Sequence, residues 1–195
     1  MKVSRFGVAA MIVALAMGGT AMSADIAKLE WGEFTLLSDS SNKAGSWSAD
    51  ASNDGMILTF VPKHVVAKAD GPTPEARAHI SGEFALFAPS TAAFDTLHVK
   101  VKGYIIKHSG TTAKLVIGVG GESHTFEWGK DDTQSGNFVK EADLTVKTGQ
   151  LPNPFPVSAE AYASKDGTES GVFLSLESVE VGLTPVAPKV ASAAQ

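Results

Sequence analysis

The chain of 195 residues contains no cysteine. That excludes disulfides, a cysteine nucleophile and a lipid-modified N-terminal cysteine, so any domain it forms is held by its core alone. Arginine is nearly as scarce, with only Arg5 and Arg77. Readers of nucleic acid and phosphate lean on arginine forks and basic patches, which argues against nucleic acid as a partner. Long apolar runs are missing as well. The stretch from Phe6 to Met17 falls short of the roughly 20 residues that a membrane-spanning helix needs, and no later segment reaches that length.

What is present begins with a leader. Lys2 and Arg5 precede that apolar stretch, and Ala21-Met22-Ser23-Ala24 follows it with small residues of the kind a signal peptidase accepts. The expectation is a cleaved signal peptide over residues 1–24, one domain over 25–183, and a flexible tail rich in Pro, Ala, Val and Ser over 184–195. Cleavage after Ser23 or Ala24 would put the mature chain in the periplasm or outside the cell, with no integral membrane segment left. It would also leave 14 Lys and Arg against 21 Asp and Glu, a net charge of −7. A chain so charged is a poor partner for an anionic membrane surface.

After the leader the chain alternates rather than repeats at helical spacing. Ile80, Gly82, Phe84 and Leu86 share one face, opposite His79, Ser81 and Glu83. Leu97, Val99, Val101 and Ile105 oppose His98, Lys100, Lys102 and Tyr104, and Ala113, Leu115, Ile117 and Val119 form the next apolar row. Asn53-Asp54-Gly55 is a hairpin signal between Ser46–Ala51 and Met56–Val61. Pro62, Pro72 and Pro74 bracket a stretch read as irregular. In total about nine short strands with polar outer faces are expected, which means antiparallel sheets wetted on one side. Two such sheets stacked on their apolar faces make an all-β sandwich of jelly-roll type. The core is expected to hold Leu58, Phe60, Ile80, Phe84, Leu86, Leu97, Val99, Val101, Leu115, Ile117, Leu144, Leu174 and Val181.

The last strand breaks its own rule. Val172, Leu174 and Leu176 are even-numbered, whereas Val179, Val181 and Leu183 are odd. A strand cannot change faces, because its side-chain period is two. A β-bulge at Glu177 or Ser178 would return all six to one core, and a strand crossing between sheets at a corner is the rival explanation. Val172 to Leu183 also resembles the closing strand of jelly-roll carbohydrate-binding modules, a likeness of pattern over a dozen residues that transfers no functional residue.

Catalytic motifs are hard to find. Ser123 and His124 are neighbours on a strand, so they point to opposite faces and cannot act as a pair. Gly118-Val119-Gly120-Gly121 is not followed by Lys-Thr and a helix, as a phosphate loop requires. Asp50 to Ile57 resembles the opening of an EF-hand calcium loop, but the twelfth position is Val61 where a bidentate glutamate belongs, and an Asn-Asp-Gly turn explains the same residues. His79, His98 and His124 could pair only if neighbouring strands brought them together on a solvent face. No metal and no cofactor are expected. Glu127, Glu141, Glu160 and Glu177 sit on strands, where solvated faces account for them.

The aromatics are the remaining lead. Trp31, Trp47 and Trp128 are candidates for a platform on which a sugar ring stacks by its apolar face. The expected function is thus a non-catalytic exported binding domain for an extracellular glycan. The alternatives are a structural or assembly protein of a surface layer, matrix or appendage, partnered by another extracytoplasmic protein through sheet edges, and a polysaccharide-active enzyme using paired carboxylates.

Overall fold

The structure is a computed structural model and describes residues 28–40, 47–89, 92–147, 149–167 and 171–186. The expected signal peptide and residues 187–195 of the expected tail lie outside these. The described residues form eleven strands and no helix. They are β1 (Glu30–Asp39), β2 (Trp47–Ala51), β3 (Ile57–Pro62), β4 (Val66–Ala69), β5 (Glu75–Phe87), β6 (Phe94–Lys107), β7 (Thr111–Val119), β8 (Glu122–Trp128), β9 (Gln134–Thr145), β10 (Phe155–Lys165) and β11 (Val172–Pro185).

These strands form two antiparallel sheets, ordered β1-β5-β10-β7-β8 and β2-β3-β11-β6-β9. The chain crosses from one sheet to the other between β4, β5, β6 and β7 and again between β8, β9, β10 and β11. This wrapping gives the sandwich its jelly-roll character. All thirteen residues expected in the core are buried between the sheets. Among the described residues, no buried side-chain nitrogen or oxygen lacks a hydrogen-bond partner. Lys107 and Lys165 are themselves buried, and their ammonium groups donate to the carbonyls of Asp132 and Gly71.

The strand count corrects the expectation of about nine. The stretch read as irregular contains β4, whose four residues are flanked by the connection after Pro62 and by Pro72. So short a strand exists only through its partner: Val66 to Ala69 pair with Ser175 to Val172 of β11. Thr184 and Pro185, assigned to the tail, pair with Thr96 and Phe94 and extend β11 by two residues.

The bulge lies where the parity break put it. Leu176 opposes Gly103 and Ser178 opposes Lys102, so Glu177 is the extra residue, and Val179, Val181 and Leu183 return to the core. It also falls where the other neighbour of β11 changes, since β4 flanks residues 172–175 and β3 flanks 179–182. At that gap the Leu176 amide donates to Val65 O (3.0 Å) rather than to a ladder partner.

The Asn-Asp-Gly segment forms the β2–β3 hairpin. Asp54 Oδ1 accepts from Ser52 Oγ (2.5 Å) and the Met56 amide (3.0 Å), and the Ile57 amide donates to Ser52 Oγ (2.9 Å). The Asp54 carboxyl is held below its ordinary range, first by the Ser52 hydrogen bond and then by that of the Met56 amide. Gly55 takes a φ of +73°, and a Cβ there would lie 2.1 Å from Leu29 O, so only glycine fits the turn against the start of β1.

Candidate functional site

The outer face of the first sheet carries a row of polar residues placed by strand register. Tyr162 on β10 opposes Arg77 on β5 and Lys114 on β7, and Lys114 opposes Glu127 on β8. Residues directly opposite each other in an antiparallel pair share a face, so all four line up across the strands. Beneath them the inward side chains are mostly small: Ala161 and Ala163 of β10 oppose Ala78 and Ala76 of β5, and Ala163 also opposes Ala113 of β7. Over that strand lies an open trough of about 790 Å³, with walls that include Arg77, Lys114, Glu127 and Tyr162.

Tyr162 is fixed at its centre. Its hydroxyl donates to Glu160 Oε2, and the other oxygen of that carboxylate accepts from Nε and Nη2 of Arg77. Arg77 Cζ lies 5.1 Å from the ring centroid and Lys114 Nζ 4.7 Å, one cation reaching in from each flanking strand. Both distances fall within the range of cation–π attraction. The hydrogen bond to Glu160 raises the Tyr162 phenol above its ordinary pKa, reinforced by desolvation and by the Glu160 charge, with Arg77 opposing. The result is an aromatic ring with a cation on each flanking strand, anchored by the Glu160 carboxylate, and a second carboxylate, Glu127, in the trough wall.

The three tryptophans are not brought together. Trp31 and Trp47 are half-buried in one aromatic corner, linked through Phe34 and Phe84. Trp31 Nε1 donates to Gly55 O (2.8 Å), which ties β1 to the β2–β3 turn. Trp128 stands at the edge of the trough, yet its ring turns inward and is 4% exposed, packed on Phe138 with Nε1 donating to Gln134 Oε1 (2.8 Å).

The histidines are likewise separated. His79 is on β5, bonded to Ser38 Oγ (2.6 Å), whereas His98 is on β6 in the other sheet, paired with Asp143 (2.6 Å). His124 opposes the buried Ile117 and packs edge-on against Phe126, because its parity, shared with Phe126 and Trp128, is that of the inner face of β8. Among the described residues, no three His, Asp or Glu side chains converge as metal ligands.

The sheet edges bear on assembly. Pairing of β1 with β5 is interrupted by two register shifts, and β9 carries Lys140, Glu141 and Asp143. Bulges and charges are the devices by which edge strands avoid pairing with other chains.

Sequence reasoning singled out Arg77 for its rarity and Glu160 as a strand carboxylate, but not Tyr162 or Lys114 as its partners. The available signal was Ala159-Glu160-Ala161-Tyr162-Ala163-Ser164, small residues in alternating with polar residues out. What could not be read was the register that sets three strands side by side.

No family model and no curated protein matches the chain. Solved structures match it over most of its length. The xylan-binding module CBM15 is 15% identical, with 80% of this chain and 99% of that one covered at a TM-score of 0.35. TmCBM61 in complex with beta-1,4-galactotriose is 10% identical, covering 75% and 86% at 0.32. The infectious bursal disease virus Gx strain structure is 9% identical, covering 82% and 33% at 0.37. At these values the likeness assigns neither family nor ligand.

Proposed function

We propose that this chain is a non-catalytic glycan-binding domain that holds its ligand in the trough over Tyr162. The observation that carries the reading is the Arg77–Tyr162–Lys114 row, fixed by Glu160 beside it on β10. A sugar offers hydroxyls that donate and accept together with a weakly apolar edge. The trough supplies donors at Arg77 and Lys114, an acceptor at Glu127 and the ring of Tyr162, with the Glu160 carboxylate holding Arg77 and Tyr162 in place before any ligand arrives. Pre-organisation of this kind lowers the entropic cost of binding. A binding role rather than hydrolysis is supported by Glu160, whose two oxygens already accept from Arg77 and Tyr162 and which thus serves as a fixed acceptor.

In this reading Trp128 shapes the trough edge while Trp31 and Trp47 brace the opposite corner of the fold. Export through residues 1–24 would deliver the domain to where extracellular glycans are found, and the N-terminal residue of protein recovered outside the cytoplasm checks that step. The function itself is tested by a glycan array followed by calorimetry on the best ligand. Wild type should bind, and Tyr162→Ala should lose at least tenfold in affinity while circular dichroism shows the β fold retained. Trp31→Phe and Trp47→Phe should bind as wild type. Loss in either of those with Tyr162→Ala unaffected would move the ligand to the tryptophan corner.

A further inference from the structure

Resting on the trough as the binding site, we infer that its ligand is an anionic glycan whose carboxylate or sulfate group sits between Arg77 and Lys114, above the edge of Tyr162.

The reason lies in where the charges are already spent. Among the described residues Lys114 takes part in no ion pair, although Glu127 opposes it on β8, and its ammonium is engaged only with the Tyr162 ring. Arg77 gives Nε and Nη2 to Glu160, yet its side chain remains 61% exposed, which leaves further guanidinium donors open to the trough. With Arg77 Cζ at 5.1 Å and Lys114 Nζ at 4.7 Å from one centroid, the two cations are at most 9.8 Å apart. An oxyanion about 2 Å across, with a charge-assisted hydrogen bond of about 2.8 Å on each side, reaches across about 8 Å, which lies within that limit.

The same cations close off the usual alternative. A neutral sugar stacks on an open aromatic face, and here a cation lies over the ring from each flanking strand. The carboxylates near the slot do not cancel it. Glu160 is matched by Arg77 and the Tyr162 hydroxyl, while Glu75 and Glu127 are on the outer strands of the trough and exposed to water. The net negative charge of the chain weakens long-range attraction, but at physiological salt such a field is screened beyond about 8 Å.

The test uses three oligosaccharides of matched length: neutral galactose, galacturonic acid, and sulfated galactose. Calorimetry with wild type should show at least tenfold tighter binding of one or both acidic ligands, declining as salt is raised. Lys114→Gln should remove that preference, Lys114→Arg should retain most of it, and circular dichroism confirms that each variant folds. A preference for the uronide alone or the sulfate alone identifies which oxyanion the slot takes. Equal or tighter binding of the neutral ligand, still lost in Tyr162→Ala, would overturn the anionic slot and leave the glycan reading standing. No Tyr162-dependent binding of any of the three, or of any array glycan, would overturn both.

Discussion

A phenol that donates to a carboxylate holds its proton more tightly than a free one, since ionisation would set two negative charges side by side. Tyr162 is in that position, and its pKa is raised first by the Glu160 hydrogen bond. Absorbance titration of Tyr104→Phe, which leaves Tyr162 as the sole tyrosine, should show it ionising above the ordinary tyrosine range. Adding Glu160→Gln should bring it back down. The sign for stability follows from the raised value: whatever the bond contributes is present below the ordinary tyrosine pKa and is lost as pH climbs through the raised one. Unchanged titration in the double variant would mean that Glu160 is not the partner in solution. Gly103 makes a different demand. A Cβ there would lie 2.3 Å from Ser175 O and 2.6 Å from Phe138 Cζ. Gly103→Ala should therefore cost about 1–3 kcal/mol by urea unfolding, the usual penalty for overpacking.

At the scale of the element, β11 is the informative case. Glu177 keeps two apolar triads, Val172/Leu174/Leu176 and Val179/Val181/Leu183, on one core-facing surface. Deleting Glu177 should turn one triad outward at about 1.5–3 kcal/mol per side chain. Such a loss is comparable with the whole stability of an ordinary domain. The expected result is an unfolded or insoluble product, whereas Glu177→Ala should melt close to wild type. A deletion variant that melts near wild type would show that the strand can slip without penalty. The bulge was legible in the sequence because side-chain parity is a local property, and the same holds for the core rows of β5, β6 and β7. β4 was not legible: four residues next to prolines owe their conformation to β11, more than a hundred positions away. The trough was hidden for a similar reason. Arg77, Lys114 and Tyr162 each look like an ordinary solvated strand residue, and only the pairing of β10 with both β5 and β7 makes them one row.

For the molecule as a whole, the two sheets expose different outer faces, and this makes the binding face a measurable property. The first sheet offers the charged trough around Tyr162. The second offers Tyr104 and Phe173, ring centroids 6.3 Å apart, on neighbouring strands of its own outer surface. The two aromatic positions lie on opposite sides of the sandwich, so a ligand that contacts one sheet leaves the amides of the other largely unmoved. Amide chemical-shift mapping of the domain from residue 25 onward, titrated with short oligosaccharides of xylose, galactose and galacturonic acid, tests the binding site most directly. The predicted result is saturable shifts confined to residues 76–78, 113–115, 127–129 and 161–163, with Tyr104 and Phe173 unaffected. Shifts gathered on Tyr104 and Phe173, or around Trp31 and Trp47, or the absence of shifts with every sugar, would contradict a glycan site over Tyr162.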